Sequence, residues 1–200
     1  MTLLIKEENI AEYELKEGVK QKLLLNRHET GDSRLEIKKI IMESKKSIEL
    51  KFERDSLNWL HALSKGIEIN SLDFDTQSIR VIKGGTHSTV NNKGGEAVEL
   101  LICTVPRVKR YMQKEEQIPF DIHEVDWSVE PVLLSEFDSR KRIYLASPGL
   151  WNGMSCVKGE MIIYPKGGTA PFHHHQNAEH FQYIVQGSGK AIFNNTEHTV

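Results

Sequence analysis

The sequence predicts an all-β protein made of two small units of sandwich, jelly-roll or barrel type. Three observations predict it. From about Ser47 onward the chain is written in short apolar runs broken by Gly, Asn and Asp, the pattern of strands joined by tight turns. Helical periodicity is scarce. The stretches from Leu57 to Ile69 and from Phe181 to Phe193 each read as a strand, a glycine turn and a return strand. One theme is therefore used twice, at a period suited to tandem barrels and not to a solenoid.

Taken in order, residues 1–44 read as an N-terminal extension. Within it, 6–22 and 34–44 each suit a short amphipathic turn or helix, and LEIKKIIMES is the stronger of the two. Residues 45–106 form the core of the first unit. SIELKFE alternates with period two, as a half-buried strand does. LNWLHAL, SIRVIK and AVELLICTV follow at strand length, separated by turn signals such as KGG and NNKGG. Residues 107–142 are charged and contain Pro119 and Pro131, so they read as a linker, with the basic run RVKRYMQK as a solvated connector. The second unit spans 143–200. Its strands begin at KRIYLAS and continue through GEMIIYP, HFQYIVQG and KAIFNN.

Composition narrows the function classes. The chain is 38% apolar and 27% charged, with a net charge of −2, so no global field draws it to nucleic acid or anionic membrane. Its two cysteines, Cys103 and Cys156, lack a CxxC partner and read as packed free thiols in a reducing compartment. No run approaches the ~20 apolar residues of a spanning helix, and the apolar part of MTLLIKEENI is too short for a signal peptide. A cytoplasmic homo-oligomer acting on a small molecule is the expectation.

Chemistry concentrates in PKGGTAPFHHHQNAEHFQYIVQGSG, residues 165–189. On a strand, His173 and His175 project to one side and His174 to the other. Two imidazoles so placed can share one metal ion, with a third ligand from a neighbouring strand. In HFQYIVQ, His180, Gln182 and Ile184 share one face and Phe181, Tyr183 and Val185 the other.

These residues resemble the first motif of the cupin superfamily, G-x5-H-x-H-x3-4-E-x6-G. Gly167, His173, His175 and Gly187 fall at its spacing. Counting back from Gly187 puts His180 where the family has Glu, and Glu179 lies one residue off that register. The second motif, P-x-G-x2-H-x3-N, resembles Gly84, His87 and Asn91, without the proline and in the first unit. There the motif-1 positions hold Phe52, Arg54 and Trp59, which cannot ligate a metal, and His61 with His87 reads as a lone buried pair.

The resemblance implies tandem cupin barrels, a bicupin of double-stranded β-helix (jelly-roll) type with a degenerate first site. His87 follows Gly66 by 21 residues; the same offset from Gly187 falls past Val200, so the second barrel is expected to be truncated and its last ligand to lie beyond the chain. The implied ligands are His173, His175 and His180, with Glu179 as the alternative, and Gln182 and Tyr164 stand beside them as supporting or substrate-facing groups; no catalytic residue is assigned. The implied cofactor is a divalent metal, Fe(II) foremost, with Zn, Ni, Mn or Cu also suited to imidazole-rich sites. The implied activity is an oxidoreductase, a dioxygenase acting on a small aromatic or dicarbonyl substrate, loosely similar to gentisate dioxygenase-like cupins. The alternatives are a zinc-dependent cyclase or isomerase and a non-catalytic small-molecule-binding cupin.

Overall fold

The computed structural model describes residues 4–26, 35–114, 117–136, 138–146, 156–173, 178 and 180–200. Strands β1 (Glu12–Lys16), β2 (Val19–Leu25) and β3 (Glu36–Met42) lead into β4 (Ser47–Lys51), β5 (Ser56–Ala62), β6 (Ile67–Ile69), β7 (Leu72–Phe74), β8 (Ser78–Lys83), β9 (His87–Asn92) and β10 (Val98–Pro106). Then come β11 (Ile122–Asp126), β12 (Leu133–Leu134), β13 (Lys141–Ala146), β14 (Gly159–Ile163), β15 (Lys190–Phe193) and β16 (Thr196–Thr199). The all-β expectation holds: among the described residues the helices are the 3-10 turns Glu7–Asn9 and Val108–Arg110.

Two sheets make the first barrel. One has seven strands in the order β1-β2-β3-β10-β5-β8-β11, and the other has four in the order β4-β9-β6-β7. Side-chain alternation explains how they close on each other. Val98, Leu100 and Ile102 of β10, Leu60 and Ala62 of β5, and Ile40 and Met42 of β3 meet Leu50, Ile67, Ile69, Phe74 and Val90 from the facing sheet. Each of these side chains larger than Ala contributes roughly 1.5–3 kcal/mol by leaving water. The interior is filled, and its one guanidinium, on Arg80, is satisfied. Nε donates to Glu124 Oε2 at 2.8 Å, Nη2 bonds the same oxygen, and Nη1 donates to the Ile69 carbonyl at 3.2 Å. The cation also lies 4.9 Å from the centre of the Phe74 ring.

The flanks of 45–106 depart from the sequence expectation. Residues 12–25 form the β1–β2 hairpin, turning at Gly18 with φ 71°, and 36–42 form β3 instead of a helix. In β3 the period of two is masked because both faces are covered: Ile40 and Met42 enter the barrel, while Ile37 and Lys39 are buried on the outer side. The stretch read as a linker supplies β11, which pairs with β8 and brings Glu124 to Arg80.

The outer face of the seven-stranded sheet carries part of the later chain. β12, β13 and β14 form a three-stranded sheet. Leu145, Ala146, Val157 and Met161 pack with Leu57, Trp59, Val81 and Val105 of the first barrel. At Gly159 the approach is so close that an added Cβ would lie 2.1 Å from the Trp59 ring. β15 and β16 make a hairpin whose turn, Asn194–Asn195, has φ values of 49° and 62°. The β6–β7 turn, Asn70–Ser71, repeats this with 53° and 65°, the positive values of tight hairpin turns.

Candidate functional site

The histidine segment is bracketed by two glycines in left-handed backbone. Gly167 has φ 75° and Gly187 has φ 93°. An added Cβ would meet nothing within 4 Å at either, so the conformation, and not space, calls for glycine there. The corresponding glycine of the first unit, Gly66, has φ 89°. Gly84, from the second-motif match, is needed for another reason: a Cβ there would fall 2.0 Å from the Glu53 carbonyl oxygen.

Between the glycines, His173 is exposed, and its Nδ1 lies 2.8 Å from the Pro171 carbonyl oxygen. A neutral imidazole donating from Nδ1 carries its lone pair on Nε2, the state a metal ligand requires. His175 and Glu179 lie outside the described residues, as do His174, Gln176 and Asn177. His180 and Gln182 are exposed, while Phe181 and Tyr183 are half-buried against Leu24, Ile37 and Leu101 on the outer face of the first barrel. Side chains thus alternate from 180 to 183, although 181–185 pair with no strand among the described residues. Tyr164 is exposed, with the Arg140 guanidinium 5.7 Å from its ring centre. Arg140 is held in turn by the Asp138 carboxylate through Nε at 2.8 Å and Nη2 at 2.6 Å, which keeps that carboxyl far below the usual range.

A charged cluster lies under the segment that carries His180. The Tyr183 hydroxyl donates to Glu7 Oε2 at 3.0 Å. The other Glu7 oxygen pairs with Lys39, whose Nζ also donates to Glu99 Oε1 at 2.8 Å. Lys22 stands 3.7 Å from Glu7. Burial pushes the Glu7 carboxyl up, but Lys39, Tyr183 and Lys22 together bring it below its ordinary value. Burial likewise pushes Lys39 down, and its two carboxylate partners lift it above its ordinary value. Tyr183 is pushed up to about 12, by burial first and by Glu7 second. The sequence carried one signal of this cluster, a lysine inside the run IKKIIM.

In the first barrel no metal site forms among the described residues. Phe52 packs against the aliphatic interior, Trp59 joins the outer cluster and Arg54 is exposed. The expected buried pair of His61 and His87 is not found. His61 is buried, its Nε2 3.2 Å from the Thr76 carbonyl oxygen, and burial lowers its pKa. His87 is exposed on β9 with its Nδ1 3.2 Å from Glu49 Oε1. The two lie in different sheets, β5 in the seven-stranded and β9 in the four-stranded. Both cysteines are free thiols, and burial pushes Cys103 up to about 12.

Comparison with solved structures places this architecture. Protein Ylba from E. coli superposes on 97% of this chain and 76% of its own, with a TM-score of 0.60 and 13% identity. The fold is cupin-type. The 7S globulin of Momordica charantia is matched over 73% of this chain and 56% of its own, with a TM-score of 0.51 and 11% identity. A protein described as glyoxylate-induced, from Pseudomonas aeruginosa, is matched over 65% and 50%, with a TM-score of 0.53 and 9% identity. The chain spans half the length of that last structure. No family model matches the chain, and no curated protein matches it by sequence. Among the described residues no helix is long and apolar enough to cross a membrane.

Proposed function

We propose that this cupin-type chain belongs to a metal-dependent enzyme, a dioxygenase acting on a small aromatic or dicarbonyl substrate. Its ligands are His173, His175 and His180, with Glu179 as the alternative to His180. The observation that carries the reading is the pair of left-handed glycines, Gly167 and Gly187, bracketing the histidines at the spacing of the cupin motif. The donor set fits a divalent transition metal, because neutral imidazoles suit Fe, Zn, Cu and Ni. When bound, the metal supplies Lewis acidity and, as Fe(II), one-electron chemistry.

The chain's own residues prepare the site. The Pro171 carbonyl fixes the His173 tautomer and so presents Nε2 to a metal. Seating Phe181 and Tyr183 on the first barrel turns His180 and Gln182 the other way. The Gln182 amide offers both a donor and an acceptor for orienting a substrate oxygen. That shared side also supports a second reading, a zinc-dependent cyclase or isomerase in which Gln182 holds a carbonyl. Metal analysis of purified protein, combined with oxygen uptake on catechols, gentisates and diketones, tests the proposal. His173→Ala and His175→Ala are expected each to lower metal content strongly, and His174→Ala to leave it near wild type. A metal-free wild-type protein, or sensitivity at His174 alone, overturns it; bound metal with no oxygen uptake favours the cyclase or isomerase.

A further inference from the structure

We infer that Glu7 and Tyr183 act as a positioning clamp for His180, tying the N-terminal segment to the proposed metal site; this rests on His180 being a ligand. Residues 181–185 belong to no ladder among the described residues, so backbone pairing does not fix which side chains of the segment face outward. Two side-chain anchors do. Phe181 packs with Leu24, Ile37 and Leu101, and Tyr183 adds both packing and its hydroxyl bond to Glu7. Glu7 is itself fixed from below by Lys39, which is 5% exposed and held by Glu99 on the neighbouring strand β10. The phenol therefore docks on a carboxylate that the barrel has already oriented. A charge-assisted hydrogen bond of this kind is directional and stronger than a neutral one. Hydrophobic contact alone would let the segment slide or turn over, and a one-residue slip exchanges the side of every side chain. With Tyr183 pinned, His180 and Gln182 stay on the side away from the barrel. Glu7 thus serves the site from a position 173 residues away from His180 without touching a metal, and removing the N-terminal segment would loosen the histidine.

Cobalt(II) titration of the full chain tests this, read by calorimetry and by the visible absorption of the bound ion, with far-UV circular dichroism as the check on folding. Tyr183→Phe keeps the ring and loses only the hydroxyl. It is expected to weaken cobalt binding about 10-fold, in the range found when supporting groups around ligands are removed, and to change the absorption band at saturation. Glu7→Gln, which keeps an acceptor for the phenol, is expected to lose less affinity than Glu7→Leu, and Glu7→Leu to change the absorption band at saturation, which simple destabilisation would not do. Should Tyr183→Phe fail to fold, the Glu7 pair decides alone. Cobalt affinity and spectrum unchanged in Tyr183→Phe and in Glu7→Leu, with wild type binding, overturn the clamp and leave the metal reading standing. A wild-type protein that binds no cobalt overturns the metal reading, and the clamp with it.

Discussion

Gly159→Ala probes the contact between β14 and the seven-stranded sheet with a single methyl group. The added Cβ would lie 2.1 Å from Trp59 Cζ3 and 2.3 Å from Cη2, well inside van der Waals contact. The Trp59 ring cannot slip aside freely, since it packs in a cluster with Leu57, Val81 and Val105 beneath β14. Overpacking of this kind costs about 1–3 kcal/mol. The smaller entropy of an unfolded chain with Ala in place of Gly returns about 0.4–1 kcal/mol. Gly159 is not in left-handed backbone, so no conformational penalty is added. An approach of 2.1 Å falls at the severe end of that range, about 2–3 kcal/mol, so the net loss is about 1–2.6 kcal/mol, which for a chain of this size lowers Tm by about 2–4 °C per kcal/mol. Urea and thermal unfolding of wild type, Gly159→Ala, Trp59→Leu and the double variant form a cycle that isolates the clash. The loss should disappear in the Trp59→Leu background. An unchanged Tm for Gly159→Ala, or an equal loss with and without the indole, would refute the packing described here.

Three further outcomes are expected. If His180 is the ligand, His180→Ala loses metal while Glu179→Gln keeps it; the reverse pattern, read by metal affinity, assigns the carboxylate. His87→Ala leaves metal stoichiometry unchanged and shifts stability by no more than about 0.5 kcal/mol, as for an exposed ion pair; chemical denaturation and elemental analysis check both. His61 is held below its ordinary pKa by burial, so between that value, about 6.5, and its lower folded value the unfolded chain binds the extra proton. Stability therefore falls as pH drops through this window, and His61→Gln, which keeps an N–H for the Thr76 carbonyl, should flatten the unfolding free energy measured from pH 7 to pH 5.

The parts of the fold that the sequence showed clearly are apolar runs of strand length set off by turn residues. SIRVIK is β8 residue for residue, and KRIYLAS and GEMIIYP contain β13 and β14. β3 was hidden because its polar member is buried: Lys39 sits at 5% exposure between two carboxylates, and hydrophobicity alone cannot register a lysine that ion pairs draw inside. β11 was hidden by charge, since its key residue is a glutamate whose partner, Arg80, lies inside the barrel. At the candidate site, the glycines and the facing pattern of 180–183 were legible from spacing and alternation. The support from Glu7 was not, because a contact between residues 7 and 183 leaves no local periodicity to read. The His61–His87 pairing failed for the same reason: strand grammar does not say which of two sheets a strand joins.

The central position of β10 bears on how the chain reaches this state. β10 pairs with β3 on one side and β5 on the other, and its Glu99 meets Lys39 across a separation of 60 residues. On a chain emerging from the ribosome, β3 and β5 stay unjoined edges until residues 98–106 arrive. Unpaired edges invite association with other chains, and closing so large a loop is slow, which puts folding in the millisecond-to-second regime of non-local β topologies. Synthesis must therefore pass through an interval in which roughly a hundred residues are exposed without their keystone. A translational pause before residue 98 would lengthen that interval, and one after residue 126, once β11 is made, would let the first barrel close before the histidine segment is made.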